Sequence, residues 1–142
     1  MKKTCLILFT AVLLIVTGCK KASTNKLLGF WSKPVEYVEG YVEPHINVEH
    51  LGHYCRNFTM EFVNSNTLYN YNYVADRKSA FEAEESEIHS VPGKSGWYYK
   101  YRTQNTYVFE DNKVILSNGD IYTYMDGKLY LDGYSSVVLS PW

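Results

Sequence analysis

The chain has 142 residues, 14 of them lysine or arginine and 15 aspartate or glutamate, for a formal net charge of −1. A chain of this length builds one hydrophobic core rather than two, and its charge balance leaves no basic field to hold nucleic acid. Its 14 tyrosines and 3 tryptophans favour β-structure over a helical bundle, and its size excludes the large α/β enzymes.

The N-terminus reads as a cellular address. Met1, Lys2 and Lys3 give a basic start, and the apolar run from Cys5 to Val16 is broken only by Thr10, which is the composition of a secretory signal. A spanning helix needs about 20 apolar residues, and Lys20 and Lys21 end this run early. The run closes on Val16-Thr17-Gly18-Cys19, which resembles the bacterial lipobox, where an aliphatic residue and small residues precede the cysteine that receives diacylglycerol. That resemblance implies a signal peptide over residues 1–18, removed on maturation, and Cys19 as the lipidated N-terminus. Several acyl chains, each worth ~0.8 kcal/mol per buried methylene, then hold the protein on a membrane. Residues 19–26 continue with Lys20 to Lys26 and carry no large apolar side chain, so they read as a flexible tether. In Bacteroidetes-type lipoproteins surface export goes with acidic residues after the cysteine. Here Lys20, Lys21, Ala22 and Ser23 follow it, which places the protein in the cell envelope on a periplasm-facing leaflet.

The domain is expected over residues 27–142. After a short turn around Lys26 to Gly29, the stretch Phe30 to Val48 is interrupted by Pro34, Gly40 and Pro44 and predicts irregular sheet. Cys5 leaves with the signal and Cys19 carries lipid, so Cys55 has no disulfide partner and is expected to be a buried structural thiol. From Asn57 to Val63, Phe58, Met60 and Phe62 alternate with polar neighbours, the two-residue rhythm of a half-buried strand. Asn64-Ser65-Asn66 is a turn signal, and Thr67 to Val74 completes a hairpin with Tyr69, Tyr71 and Tyr73 in alternation. Ala75 to Ser95 holds Glu82, Glu84, Glu85, Glu87 and Pro92-Gly93 and predicts an acidic loop. Trp97 to Arg102 resumes alternation with Trp97, Tyr99 and Tyr101 on one side. Asp111-Asn112, Asn118-Gly119 and Asp126-Gly127 are tight turn signals that delimit strands at Thr106 to Glu110, Lys113 to Ser117, Asp120 to Met125 and Lys128 to Asp132, with Tyr134 to Ser140 returning. Sequential antiparallel strands of this length must close or stack to remove their edges.

The opening Leu28-Gly29-Phe30-Trp31 resembles the Gly-x-Trp signature that begins the first strand of lipocalins and of lipocalin-like Bacteroidetes lipoproteins. Phe58 to Phe62, Leu68 to Tyr71 and Gly119 to Leu129 are similar in style to the same group. The resemblance implies an all-β fold, an antiparallel meander closing into a small lipocalin-like barrel, with Gly29 and Trp31 marking its closed end and a small apolar ligand inside. On the residues alone, Phe58, Met60, Phe62, Tyr69, Tyr71, Tyr73, Trp97, Tyr99 and Tyr101 are expected to face inward and line a cup. Tyrosine rings there would also stack on sugars or aromatic groups.

Two other readings compete. Ser95-Gly96-Trp97-Tyr98-Tyr99 resembles the Ser-Gly-x-x-Tyr loop of membrane-bound lysozyme inhibitors, which implies that Ser95 and Tyr99 reach the cleft of a protein partner. His45, His50, His53 and Cys55 bring four metal-binding donors, imidazole and thiolate, close together, but at a spacing that matches no standard zinc pattern, so no metal is assigned. No nucleophile elbow and no phosphate-binding glycine loop occurs, and the expectation is a non-catalytic, monomeric, cofactor-free binding module tied to the membrane by its lipid.

Overall fold

The computed structural model describes residues 26–142. The signal peptide, Cys19 and all of the tether except Lys26 lie outside the described residues. The strands in chain order are β1 (Gly29–Ser32), β2 (Glu36–Val38), β3 (Tyr41–Glu43), β4 (Val48–His50), β5 (His53–Phe62), β6 (Thr67–Ala75), β7 (His89–Ser90), β8 (Tyr98–Tyr99), β9 (Thr103–Glu110), β10 (Lys113–Leu116), β11 (Ile121–Met125), β12 (Lys128–Leu131) and β13 (Val138–Pro141). Two single turns of 3₁₀ helix, Lys78–Ala80 and Glu85–Glu87, lie between β6 and β7. Among the described residues no helix is long and apolar enough to cross a membrane.

Eight strands close into an antiparallel barrel in the order β5, β1, β13, β12, β11, β10, β9, β6, and the β5–β6 hairpin joins the two ends. Closure satisfies the strand edges that a row of short hairpins would leave open. Local chemistry sets the hairpins. Asp111 and Asn112 both adopt positive φ, at 49° and 59°, and Asp126 and Gly127 do so at 52° and 72°. These are the two-residue turns whose twist matches that of antiparallel strands, and Asp, Asn and Gly tolerate them best. They fix Lys113 opposite Glu110 and Met125 opposite Lys128.

The register then decides which residues fill the barrel. Trp31 lies opposite Met60, Phe62 opposite Leu68, and Val114 between Phe109 and Tyr122. Trp31, Met60, Phe62, Leu68, Val114 and Leu129 are buried in one cluster, and each large apolar side chain so buried contributes about 1.5–3 kcal/mol. The Trp31 indole Nε1 donates to the Leu27 carbonyl at 2.7 Å, which satisfies its polar atom inside the apolar interior.

Several expected boundaries shift for identifiable reasons. The strand expected from Asn57 begins at His53, because its first half pairs with β2 (Glu36 opposite Cys55) while its second half pairs with β1. The strand expected from Thr106 begins at Thr103, which lies opposite Asn70. The region Phe30 to Val48 resolves into β1, β2 and the paired β3 and β4, a two-stranded hairpin separate from the main sheet. Of Trp97 to Arg102 only Tyr98 and Tyr99 are strand. The returning segment is strand only from Val138, because Tyr134 N–H donates to the Leu131 carbonyl and Val137 N–H to that of Tyr134, closing a turn instead.

Candidate functional site

The β5–β6 hairpin carries two opposite faces, and the structure assigns them differently from the expectation of a single aromatic lining. Met60 and Phe62 share a face with Asn70 and Leu68, their register partners, and this face looks into the barrel core. Tyr69 and Tyr71 lie opposite Glu61 and Thr59, on the other face. There Tyr71 joins a second buried cluster with Val74, Val91 and Tyr99, against which Phe30, Tyr69, Trp97 and Trp142 pack. Residues between β6 and β9 therefore fold back over the outside of the barrel wall. Both faces of this hairpin are apolar, so the alternation alone does not say which one is inside.

The pleat also slips. Phe58 has φ of 52°, a left-handed conformation uncommon for a bulky residue. Before it Arg56 lies opposite Val74, a member of the outer cluster, whereas after it Met60 belongs to the inner one. The ring of Phe58 is 46% exposed as a result.

The nine aromatic and apolar residues expected to line one cup are thus distributed. Met60 and Phe62 face the barrel interior, and Phe58 stands half-exposed beside it. Tyr69, Tyr71, Trp97 and Tyr99 belong to the outer layer. Tyr73 lies past the slip, edge-on to Phe81 and hydrogen-bonded to His53. Tyr101 is 70% exposed with Lys100 over its ring. The second layer takes up Tyr69, Tyr71, Trp97 and Tyr99, and the slip at Phe58 displaces Phe58 and Tyr73.

That layer is stitched by polar atoms as well as rings. Tyr71 and Tyr99 meet edge to face at 4.8 Å. The Tyr71 hydroxyl donates to Glu61 Oε2 at 2.7 Å and accepts from Arg102 Nη1 at 3.3 Å; burial and the carboxylate push its pKa well above the ordinary tyrosine value. The Arg102 guanidinium stacks on Tyr69 at 4.1 Å. Arg56 lies over Trp142 at 4.9 Å and Trp97 at 5.7 Å and donates to Ser32 Oγ at 3.0 Å. Desolvation lowers its pKa.

A cavity of about 220 Å³ lies on the inner side, bordered by Phe58, Met60, Tyr122 and Leu131 and by the polar Asn70, Asn72, Thr103, Asn105, Asn118 and Asp120, with Thr59 and Tyr71, whose register pair belongs to the opposite face, at its wall. It is smaller than the ~300–1,000 Å³ of sites for drug-sized ligands. Part of its polar rim is locked: Asn118 Nδ2 donates to Asp120 Oδ2 at 3.0 Å, and Asn105 Oδ1 accepts from Ser117 Oγ at 3.3 Å. Part is free. Among the described residues the side chains of Asn70, Asn72 and Thr103 make no hydrogen bond, and the Thr59 hydroxyl is buried without a partner. Unpartnered amides and hydroxyls around a cavity are what a hydrogen-bonding ligand satisfies.

Asn70 and Asn72 alternate with the tyrosines that the two-residue rhythm marks as the inward face, so the pattern alone does not point them at a cavity. The signal that marks them is length: β6 is 9 residues long, long enough for Asn70 and Asn72 to follow Leu68 on one side before Val74 joins the outer cluster.

The competing sites disperse. His45 is exposed, His50 stacks on Tyr41 at 4.2 Å, His53 bonds Tyr73, and Cys55 is buried with its thiol pKa raised by burial. Among the described residues no three His, Cys, Asp or Glu side chains are grouped to hold a metal ion. In the Ser95 to Tyr99 segment Ser95 is exposed, but Tyr99 is buried in the outer cluster, so the two are not presented together to a partner. No protein-family model, curated protein or solved structure matches this chain.

Proposed function

We propose that the chain is a lipid-anchored, non-catalytic binding module of the bacterial cell envelope, with a lipocalin-like barrel that holds a small, polar, sugar-like ligand in its amide-rimmed cavity. The observation that carries the reading is the set of unpartnered polar side chains, Asn70, Asn72 and Thr103, around a cavity of about 220 Å³ that also offers Met60 and Tyr122 as apolar wall. A wholly apolar ligand fits less well, because sealing an amide from water without a partner costs about 1–3 kcal/mol. The volume suits a single ring. Anchoring rests on Val16-Thr17-Gly18-Cys19 and predicts that the chain incorporates fatty acid in a bacterial host and that Cys19→Ser abolishes the incorporation.

The ligand is tested by calorimetric titration of the full chain, in a polyoxyethylene detergent, with a panel of monosaccharides and their amino and acetylated derivatives. At least one is expected to bind, and Asn72→Leu together with Asn70→Leu is expected to weaken it at least about fivefold, as two lost hydrogen bonds of roughly 0.5–1.5 kcal/mol each require. Binding by none of the panel, or affinity unchanged in the double variant with its thermal transition intact, overturns the assignment.

A further inference from the structure

The barrel cavity is electrostatically one-sided. Of the described residues that border it, only Asp120 carries a charge. Asp120 stands one residue before β11, and the Leu116 N–H donates to its carbonyl at 2.9 Å, so it lies across from Leu116 and two residues from Tyr122. Leu116 and Tyr122 both belong to the inner cluster, and the two-residue alternation of a strand turns Asp120 to the same side. Its charge reaches Tyr122, where it adds to the burial that keeps the phenol protonated. Asn70 and Thr103, register partners on β6 and β9, border the same cavity.

The carboxylate is held in place without being neutralised. Asn118 Nδ2 donates to its Oδ2 at 3.0 Å, and the Asp120 N–H donates back to Asn118 Oδ1 at 3.0 Å. Among the described residues its Oδ1 accepts no hydrogen bond and the group makes no ion pair. Lys33 stands over the Phe58 ring at 5.9 Å, but it is paired with Glu36 and does not border the cavity. Neutral amides and hydroxyls suffice to bind the hydroxyls of a sugar ring. A carboxylate can only accept, and it forms its strongest hydrogen bonds with a cationic donor.

We propose that the ligand of the barrel cavity is a single ring bearing a primary ammonium group, of the amino-sugar class, with the ammonium on Asp120 and the ring hydroxyls on the side-chain amides of Asn70 and Asn72. This inference rests on the sugar-like ligand assigned to the cavity and narrows it. A protonated ring amine brings three N–H donors and one positive charge to a site that holds a fixed acceptor and one negative charge. An acetylated amine keeps a single N–H and loses the charge. A sugar acid sets a second negative charge beside Asp120, which is repulsive. Phe58, half-exposed at the border of the cavity, offers its ring to the C–H face of the sugar.

The test titrates the full chain, in polyoxyethylene detergent, with rings that differ in one substituent: glucosamine, glucose, N-acetylglucosamine and glucuronate, and galactosamine against galactose. In at least one pair the amino sugar is expected to bind about fivefold more tightly than the neutral sugar, the upper end for an ion pair that water still reaches. Glucuronate is expected to bind more weakly than glucose. Asp120→Asn, which keeps the side chain's shape, is expected to erase the preference for the amine, and added salt to reduce it in the unaltered chain. The thermal transition of the variant separates a lost charge from a lost fold. Neutral and amino sugars that bind alike, or a preference that survives Asp120→Asn, overturn the ammonium assignment and leave the sugar-like reading standing. Binding of no sugar in the set overturns both.

Discussion

Replacing Tyr71 with alanine is expected to lower the free energy of unfolding by about 3–5 kcal/mol, the range for deleting a fully buried aromatic ring. The residue is wholly buried and links two layers. Its backbone is paired in the barrel wall opposite Thr59, and its ring holds Tyr99 and Phe30 on the outside. The loss is therefore not confined to a cavity: the segment from Lys78 to Arg102, whose own secondary structure consists of two 3₁₀ turns and two-residue strands, depends on that ring for its seat. Tyr71→Phe keeps the ring and removes only the hydroxyl that joins Glu61 to Arg102, and its cost is expected to be about 1–2 kcal/mol. Urea unfolding of the three proteins gives the energies. Limited proteolysis adds the spatial readout: faster cleavage within Lys78 to Arg102 in the alanine variant but not in the phenylalanine variant. Equal protection of that segment in all three would show that the outer layer is held by other contacts.

The all-β meander and its closure were legible because they follow from local chemistry. Asp111-Asn112 and Asp126-Gly127 adopt the positive φ their residue types allow, and each hairpin they make leaves an edge that only closure removes. What the alternation of β6 could not reveal was which side is inside. Leu68 and Tyr69, or Asn70 and Tyr71, are consecutive residues on opposite faces, and the tyrosines look like the better core by hydrophobicity. The decision is made far away in sequence, by Val91, Trp97 and Tyr99 covering the outer face, and by Phe58 changing the pleat. No short window contains that information. The same reason hid the candidate site. Asn70, Asn72, Thr103, Asn105 and Asn118 come from three separate stretches of chain, each carrying asparagines in an ordinary polar context, and only the barrel register brings them to one cavity. The pairing of Gly29 with Trp31 rests on resemblance rather than on any local rule; in the structure Gly29 sits at φ 106° and Trp31 lies in the buried core.

Raising the pH above about 10 is expected to destabilise the fold steeply, more than any acid change in the physiological range. Burial, with Asp120 adding its charge, pushes the Tyr122 phenol up to about 12, and burial raises Tyr71, Tyr73 and Tyr107 as well. In the unfolded chain all four ionise near pH 10. Between the two values the folded state keeps protons that the unfolded state has released, so stability is fully present below about pH 10 and is lost as pH rises through the folded values. For Tyr122, 4% exposed, a shift of about two units corresponds to about 3 kcal/mol by pH 12. The buried Cys55 thiol, also raised, acts in the same direction from a lower pH, since a free thiol ionises near 8.5. Urea unfolding measured at intervals from pH 8 to about pH 12, with phenolate absorbance read alongside, should show the midpoint falling while the phenols of Tyr71, Tyr73, Tyr107 and Tyr122 remain unionised in the folded protein. Tyr122→Phe is expected to flatten the fall between about pH 10 and about pH 12, and Cys55→Ser only its onset. A midpoint independent of pH across this range would mean that these phenols reach solvent in the native state, and with it the double-layered packing around Tyr71 would have to be abandoned.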